Sequence, residues 1–188
     1  MKLAKELQKA ILELSDKEKD KLLLRLIAKN DLLVEQLTFQ LLEDESDIER
    51  RRNDVKDLII STITAVHVSS IGWLLMDMRA CSGAITRHVK VTKDKYGEIE
   101  LTLFLLERVL VENGAVFQTY SRKLDKLMPY LLKKLESVLK KIKAFPEDYH
   151  LDFSNSLEVI LDGIHTGLLA GMAKQMRLPT AENWMDVV

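Results

Sequence analysis

Leu3, Leu7, Ile11 and Leu14 recur at steps of four, four and three, which places them on one stripe of a helix over residues 3–14. Ser15-Asp16-Lys17-Glu18 follows as a capping box, in which the serine caps a free amide and Glu18 reaches back to the backbone. The helix it opens carries Leu22, Leu23, Leu26 and Ile27, and Asn30 reads as its stop. A third helix carries Leu33, Leu37 and Leu41 and ends in Glu43-Asp44-Glu45. A second capping box, Ser46-Asp47-Ile48-Glu49, opens a long segment whose inner face is Val55, Ile59, Ile63 and Val66. Beyond Gly72 the pattern continues through Trp73, Met76, Cys81, Ile85 and Val89 and predicts a helix end near Lys90. Val91-Thr92-Lys93-Asp94 is the clearest break in the middle of the chain. Ile99, Leu103, Leu106 and Leu110 then mark a further helix that closes at Asn113-Gly114, where glycine readily takes the left-handed cap.

The cleanest periodicity lies within residues 117–143. Leu124, Met128, Leu131, Leu135, Val138 and Ile142 step by four and three, with Leu127, Leu132 and Leu139 beside them, as in a coiled-coil seam. Pro129 falls inside it and predicts a kink or a new start. After Phe145-Pro146-Glu147-Asp148, a last helix is expected over 154–175, with Val159 or Ile160, Ile164, Leu168 and Met172 inward. Residues 179–188 read as a loosely held tail in which Trp184 is available to dock.

These elements predict an all-α fold of about seven or eight helices, either an irregular multi-helix bundle or a short curved array. The short consecutive helices of the first third resemble HEAT-like helical arrays, a generic likeness that carries no motif and implies no activity. The chain reads as one all-helical domain over 1–188, with a three-helix lobe, 1–45, set on 46–178.

Composition supports this picture. Three prolines and seven glycines in 188 residues leave few obligatory turns, and 47% apolar with 30% charged residues is the balance of a folded chain rather than a disordered one. A formal net charge of −1 gives no global field toward nucleic acid or an anionic membrane. Cys81 is the only cysteine, which excludes an intramolecular disulfide and an all-cysteine zinc site within one chain. With acids interleaved from Glu6 onward and no apolar core, the start does not read as a secretory signal, so a cytoplasmic location is expected. The uncharged run Leu58–Met76 has the length of a bilayer crossing. His67 at its centre and five Ser/Thr residues speak instead for a buried central helix, or two helices meeting near Ser69-Ser70.

Four groups of residues carry candidate chemistry. Residues 115–143 hold eight Lys/Arg against two acids, whereas 144–188 hold two against seven. Lys126, Lys133 and Lys140, flanked by Lys134 and Lys141, form a stripe that would track phosphates, although scarce arginines and aromatics favour a solvated helix face. Glu158, Asp162 and His165, with Asn155, share one helical face suited to a metal, but the companion carboxylates of a helical di-metal site are missing. Asp77, Arg79, Cys81, Ser82, Arg87 and His88 cluster after the most apolar stretch. Cys81 and His88 stand seven positions apart, roughly 10 Å along a helix, too far for a nucleophile–base pair. His67 reads as a core histidine with a hydrogen-bond partner.

No Gly-rich phosphate loop, G-x-S-x-G, H-E-x-x-H or Rossmann fingerprint occurs, which disfavours the common motif-bearing enzymes. The expected function is therefore a protein-binding or scaffold module, acting on another protein or on itself through the 124–142 seam, with no cofactor and no membrane. Nonspecific polyanion binding by the lysine stripe and a motif-poor enzyme or metal-binding protein are the alternatives.

Overall fold

The computed structural model describes residues 3–64 and 71–187, and the described residues contain helices and no strand. His67 and the Ser69-Ser70 junction lie outside them. The chain divides into two units, Met1–Asp44 and Glu45–Val188.

The first unit holds α1 (Lys5–Leu12), α2 (Asp16–Ile27) and α3 (Asp31–Leu42). Ser15 opens α2 as expected, its amide and hydroxyl donating to Glu18 Oε2 at 3.0 and 2.6 Å. Asn30 has a different role from the predicted stop. Its side-chain oxygen accepts from the Leu33 amide at 3.1 Å, so it caps the start of α3. None of the three helices buries a residue.

The second unit runs α4 (Glu45–Ile63), α5 (Ile71–Thr92), α6 (Lys95–Asn113), α7 (Leu124–Lys143), α8 (Ser154–Ile164), α9 (Leu169–Gln175) and the single turn α10 (Trp184–Val187), with 3-10 turns at Gly114–Phe117 and Glu147–Phe153. It is a bundle rather than an array, because α6 packs against α4, α5, α7 and α8 at once, whereas solenoid helices touch only their neighbours. Alternation along one stripe predicts only Ile99, Leu103, Leu106 and Leu110 as inward. In fact Leu101, Leu105 and Val109 are buried as well, so α6 is apolar nearly all round and is the central helix. The uncharged run, by contrast, supplies the end of α4 and the start of α5. No helix among the described residues is long and apolar enough to cross a membrane.

Two sequence expectations change here. Of the kink or new start expected at Pro129, the new start does not occur: α7 is continuous from Leu124 to Lys143 with the proline in its second turn. Leu127, Met128, Leu131 and Leu132 are buried on either side of it, and that packing offsets one missing amide. The single last helix is in fact two. Gly167 adopts φ +51°, where a Cβ would meet the Phe117 carbonyl oxygen at 2.8 Å, and the Leu168 amide donates to that same oxygen at 3.0 Å. A tertiary hydrogen bond thus breaks the helix that periodicity alone would continue. Farther on, Trp184 is docked, only 2% exposed within the core cluster.

Lys93, in the α5–α6 joint, sits at φ +60°. Side chains resist this left-handed conformation and glycine does not. Lys93→Gly is therefore expected to stabilise the chain by about 0.5–1 kcal/mol, a rise of a few degrees in Tm by calorimetry. A fall in Tm would show that the lysine side chain contributes more than the backbone strain costs.

Candidate functional site

The three helices of the first unit are rich in leucine, and many of those side chains remain largely in water. Leu12, Leu23, Leu24, Leu26, Leu41 and Leu42 are all more than half exposed, Leu24 at 67% and Leu42 at 81%. On α2 the cause is the run Leu22-Leu23-Leu24-Arg25-Leu26-Ile27. At 100° per residue it places apolar side chains on nearly every side of the helix, so no single neighbour covers them all. Leu22 and Ile27 are half-buried while the other three leucines face solvent.

The second unit carries its polar chemistry where α4, α5 and α6 meet. Asp94 is the N-cap of α6 and its carboxylate collects four hydrogen bonds. The Gly97 amide donates at 2.8 Å, Arg52 Nε at 2.6 Å, Arg52 Nη2 at 2.9 Å and His88 Nε2 at 3.1 Å. An ionised carboxylate only accepts, so His88 carries its proton on Nε2. The side chains of Asp94 and His88 are almost wholly buried. Burial pushes the Asp94 carboxyl up, but the bonds from His88, Arg52 and the Gly97 amide, with the guanidinium charge, outweigh it and hold the group well below the usual carboxylate range. Arg52 also reaches Glu49 at 3.3 Å and Glu100 at 3.7 Å, and Lys56 Nζ donates to Glu100 at 2.6 Å.

Beside this clasp opens a cleft of about 660 Å³ lined by Arg52, Tyr96, Phe145, Pro146, Tyr149 and Asp152. The guanidinium of Arg52 lies 5.0 Å over the Tyr96 ring. Tyr96, Phe145 and Tyr149 pack edge-on or tilted with centroids 5.3–6.3 Å apart. Rings at that spacing fill one another's faces and leave no cage for a cation between them. Tyr96 donates to Asp152 at 3.4 Å, and Arg52 is engaged by three carboxylates. The charged groups of the cleft are therefore spent on each other, which suits a structural clasp.

The residues singled out in the sequence are scattered by the fold. In the lysine stripe, Lys126, Lys133 and Lys140 are exposed, but Lys140 pairs with Glu136 at 2.6 Å and Lys141 pairs with Glu98 of α6. Lys134 is half-buried, 5.9 Å from the Tyr130 ring, and burial followed by repulsion from Lys141 lowers its pKa. Glu158, Asp162 and Asn155 lie exposed on α8, whereas His165 sits past its end with Nε2 on the Pro179 carbonyl at 2.9 Å. Among the described residues no three His, Cys, Asp or Glu side chains are placed to hold a metal ion. Cys81 is buried, and burial pushes its thiol pKa up, away from a nucleophilic thiolate. His88 bonds Asp94 rather than Cys81. Ser82 donates to the Met78 carbonyl at 2.6 Å and accepts from Tyr130 at 3.1 Å, and Arg79 lies over the Tyr130 ring.

The seam offered for self-association is not available. Leu124, Leu127, Met128, Leu131, Leu132, Leu135, Val138, Leu139 and Ile142 are all buried within their own chain, because α7 uses that face against α5, α6 and α9. Sequence reasoning missed Arg52, Tyr96, Asp94 and Glu100. Only Asp94 had a legible signal, a capping residue followed three positions later by glycine. Compared with protein-family models, curated proteins and solved structures, the chain matches none.

Proposed function

We propose that this chain is a cytoplasmic helical protein-interaction module in which α1–α3 form the docking surface and the 45–188 bundle is the stable body. One observation carries this reading: three leucine-rich helices that bury no residue, while six of their leucines are more than half exposed. Burying an exposed leucine is worth about 1.5–3 kcal/mol, and this many exposed leucines on one short unit support a reading in which something binds there. The alternatives have less support. The lysine stripe is partly neutralised by Glu98 and Glu136, and no cluster in the second unit presents an activated nucleophile or a metal-ligand set among the described residues.

A photoreactive amino acid placed in cells at position 24 or 41 is expected to yield covalent protein adducts. The same probe at Val159, which is 44% exposed on the other unit, serves as the control. Adducts at 24 and 41 no more frequent than at 159 would remove the interaction reading.

A further inference from the structure

We infer that the cleft between the start of α6 and the turn after α7 is a docking groove for a proline-rich segment of another protein, one that carries arginine or lysine beside its prolines. The inference concerns the second unit alone and stands whether or not α1–α3 bind anything. Aromatic side chains are scarce in this chain, yet four of the eleven converge here: Tyr96 on α6, and Phe145, Tyr149 and Phe153 on the turn. Phe153 is buried and floors the group, its centroid 5.2 Å from that of Tyr96. Tyr96 and Phe145 are half-buried, and Tyr149 is 45% exposed near the exposed Pro146. The turn is fixed before any ligand arrives. His150 donates from Nε2 to the Phe145 carbonyl at 2.9 Å, and the Tyr149 amide donates to the Pro146 carbonyl at 3.1 Å. A preformed groove loses little entropy on binding, and about 660 Å³ lies within the range of ordinary ligand sites.

The backbone of the occupant matters as much as its side chains. Among the described residues there is no strand, so the cleft offers no sheet edge along which an extended peptide could form ladder bonds. A polyproline II segment needs none. It has no internal hydrogen bonds, keeps its backbone carbonyls in water and has no amide at its prolines, so it lies on bare rings without orphaning a donor. Aromatic-lined grooves recognise such segments because their extended shape is already formed.

Charge selects the flanking residues. The clasp closes the inner side of the cleft, where Arg52 is committed to Glu49, Asp94 and Glu100, and leaves the rim open. Residues 144–153 hold three Asp/Glu and no Lys/Arg. All three acids, Glu147, Asp148 and Asp152, are exposed, and no cation among the described residues pairs with them. Asp152 gives Oδ2 to the Tyr96 hydroxyl at 3.4 Å, and its other oxygen remains for a ligand. An acidic rim around an aromatic floor favours a basic proline-rich segment over a neutral or acidic one.

Titrating the full chain with a synthetic proline-rich peptide that carries an arginine at each end tests the inference, read by fluorescence anisotropy and backbone amide NMR. The expected Kd is roughly tens to hundreds of micromolar, as suits a small interface, with the amides of residues 145–153 shifting on binding. Replacing the peptide's arginines by glutamates, or its prolines by alanines, should each weaken binding at least tenfold. Raising salt from 50 to 500 mM should weaken it several-fold. Tyr149→Ala should lower affinity at least tenfold with the thermal transition in place. Asp152→Lys, at an exposed position, should do the same and keeps the test sound if the tyrosine variant misfolds. No amide shifts at 1 mM peptide, or equal binding of the proline and alanine peptides, would overturn the inference. Binding indifferent to both substitutions would overturn it too, because the peptide would then sit elsewhere.

Discussion

Asp94→Ala is expected to cost the 45–188 bundle about 3–5 kcal/mol, read as a fall in the urea midpoint of tryptophan fluorescence at neutral pH. Removing the carboxylate leaves the guanidinium of Arg52 and the imidazole of His88, both largely buried, without their shared acceptor, and strips α6 of its cap. The desolvation already incurred by those groups stays uncompensated, which makes the loss larger than the bonds are worth singly. A cost below about 1 kcal/mol would mean that water or Glu100 takes over the role.

The same carboxylate gives that cost a pH dependence of defined sign. Its pKa in the folded chain is depressed by His88, Arg52 and the Gly97 amide acting against burial, so the unfolded chain takes up the proton first as pH falls. The Asp94 contribution is therefore fully present above about pH 5 and is lost progressively as the solution is acidified through and below the ordinary carboxylate range near 4. The gap in stability between wild type and Asp94→Ala should narrow steadily as pH falls from about 5 to 2, without closing in that range. Curves that stay parallel over that range would show that Asp94 does not carry the acid sensitivity.

Gly97→Ala is the second large effect, and its sign opposes helix propensity. In an exposed helix the change stabilises by about 1 kcal/mol. Here a Cβ at position 97 would lie 2.0 Å from Asp94 Oδ2 and 2.8 Å from Arg52 Nε. The clashing oxygen cannot swing away cheaply, because Arg52 and His88 hold it. We expect a loss of about 2–4 kcal/mol in the same urea experiment, from broken clasp bonds rather than from the helix itself. In a double-mutant cycle the pair Gly97→Ala and Asp94→Ala should be strongly sub-additive, since once the carboxylate is gone the alanine has much less to strike. Additive losses, or a stabilised Gly97→Ala, would refute the geometry.

These two residues also mark the limit of what local pattern reveals. The break at Lys93-Asp94 was legible because helix signals stop there. That Asp94 binds Arg52, 42 positions away, was not, since a single sequence carries no record of which distant charges meet. The α7 seam was read correctly as apolar, yet its use was not: the same heptad-like spacing suits a partner chain or an internal helix, and α5, α6 and α9 occupy it. In the opposite direction, α1–α3 read as buried helices and bury nothing.

By itself the sequence determined the helical class, most helix starts and the residues with apolar faces, because spacing, caps and glycines act within a few residues. Tertiary structure alone decided that α6 is the centre of the second unit, that helix 154–175 breaks at Gly167 on the Phe117 carbonyl, and that six leucines of α1–α3 stay more than half exposed. The physical reason is range: hydrogen bonds along a helix are local, whereas burial depends on which surfaces, far apart in the chain, come to lie against each other.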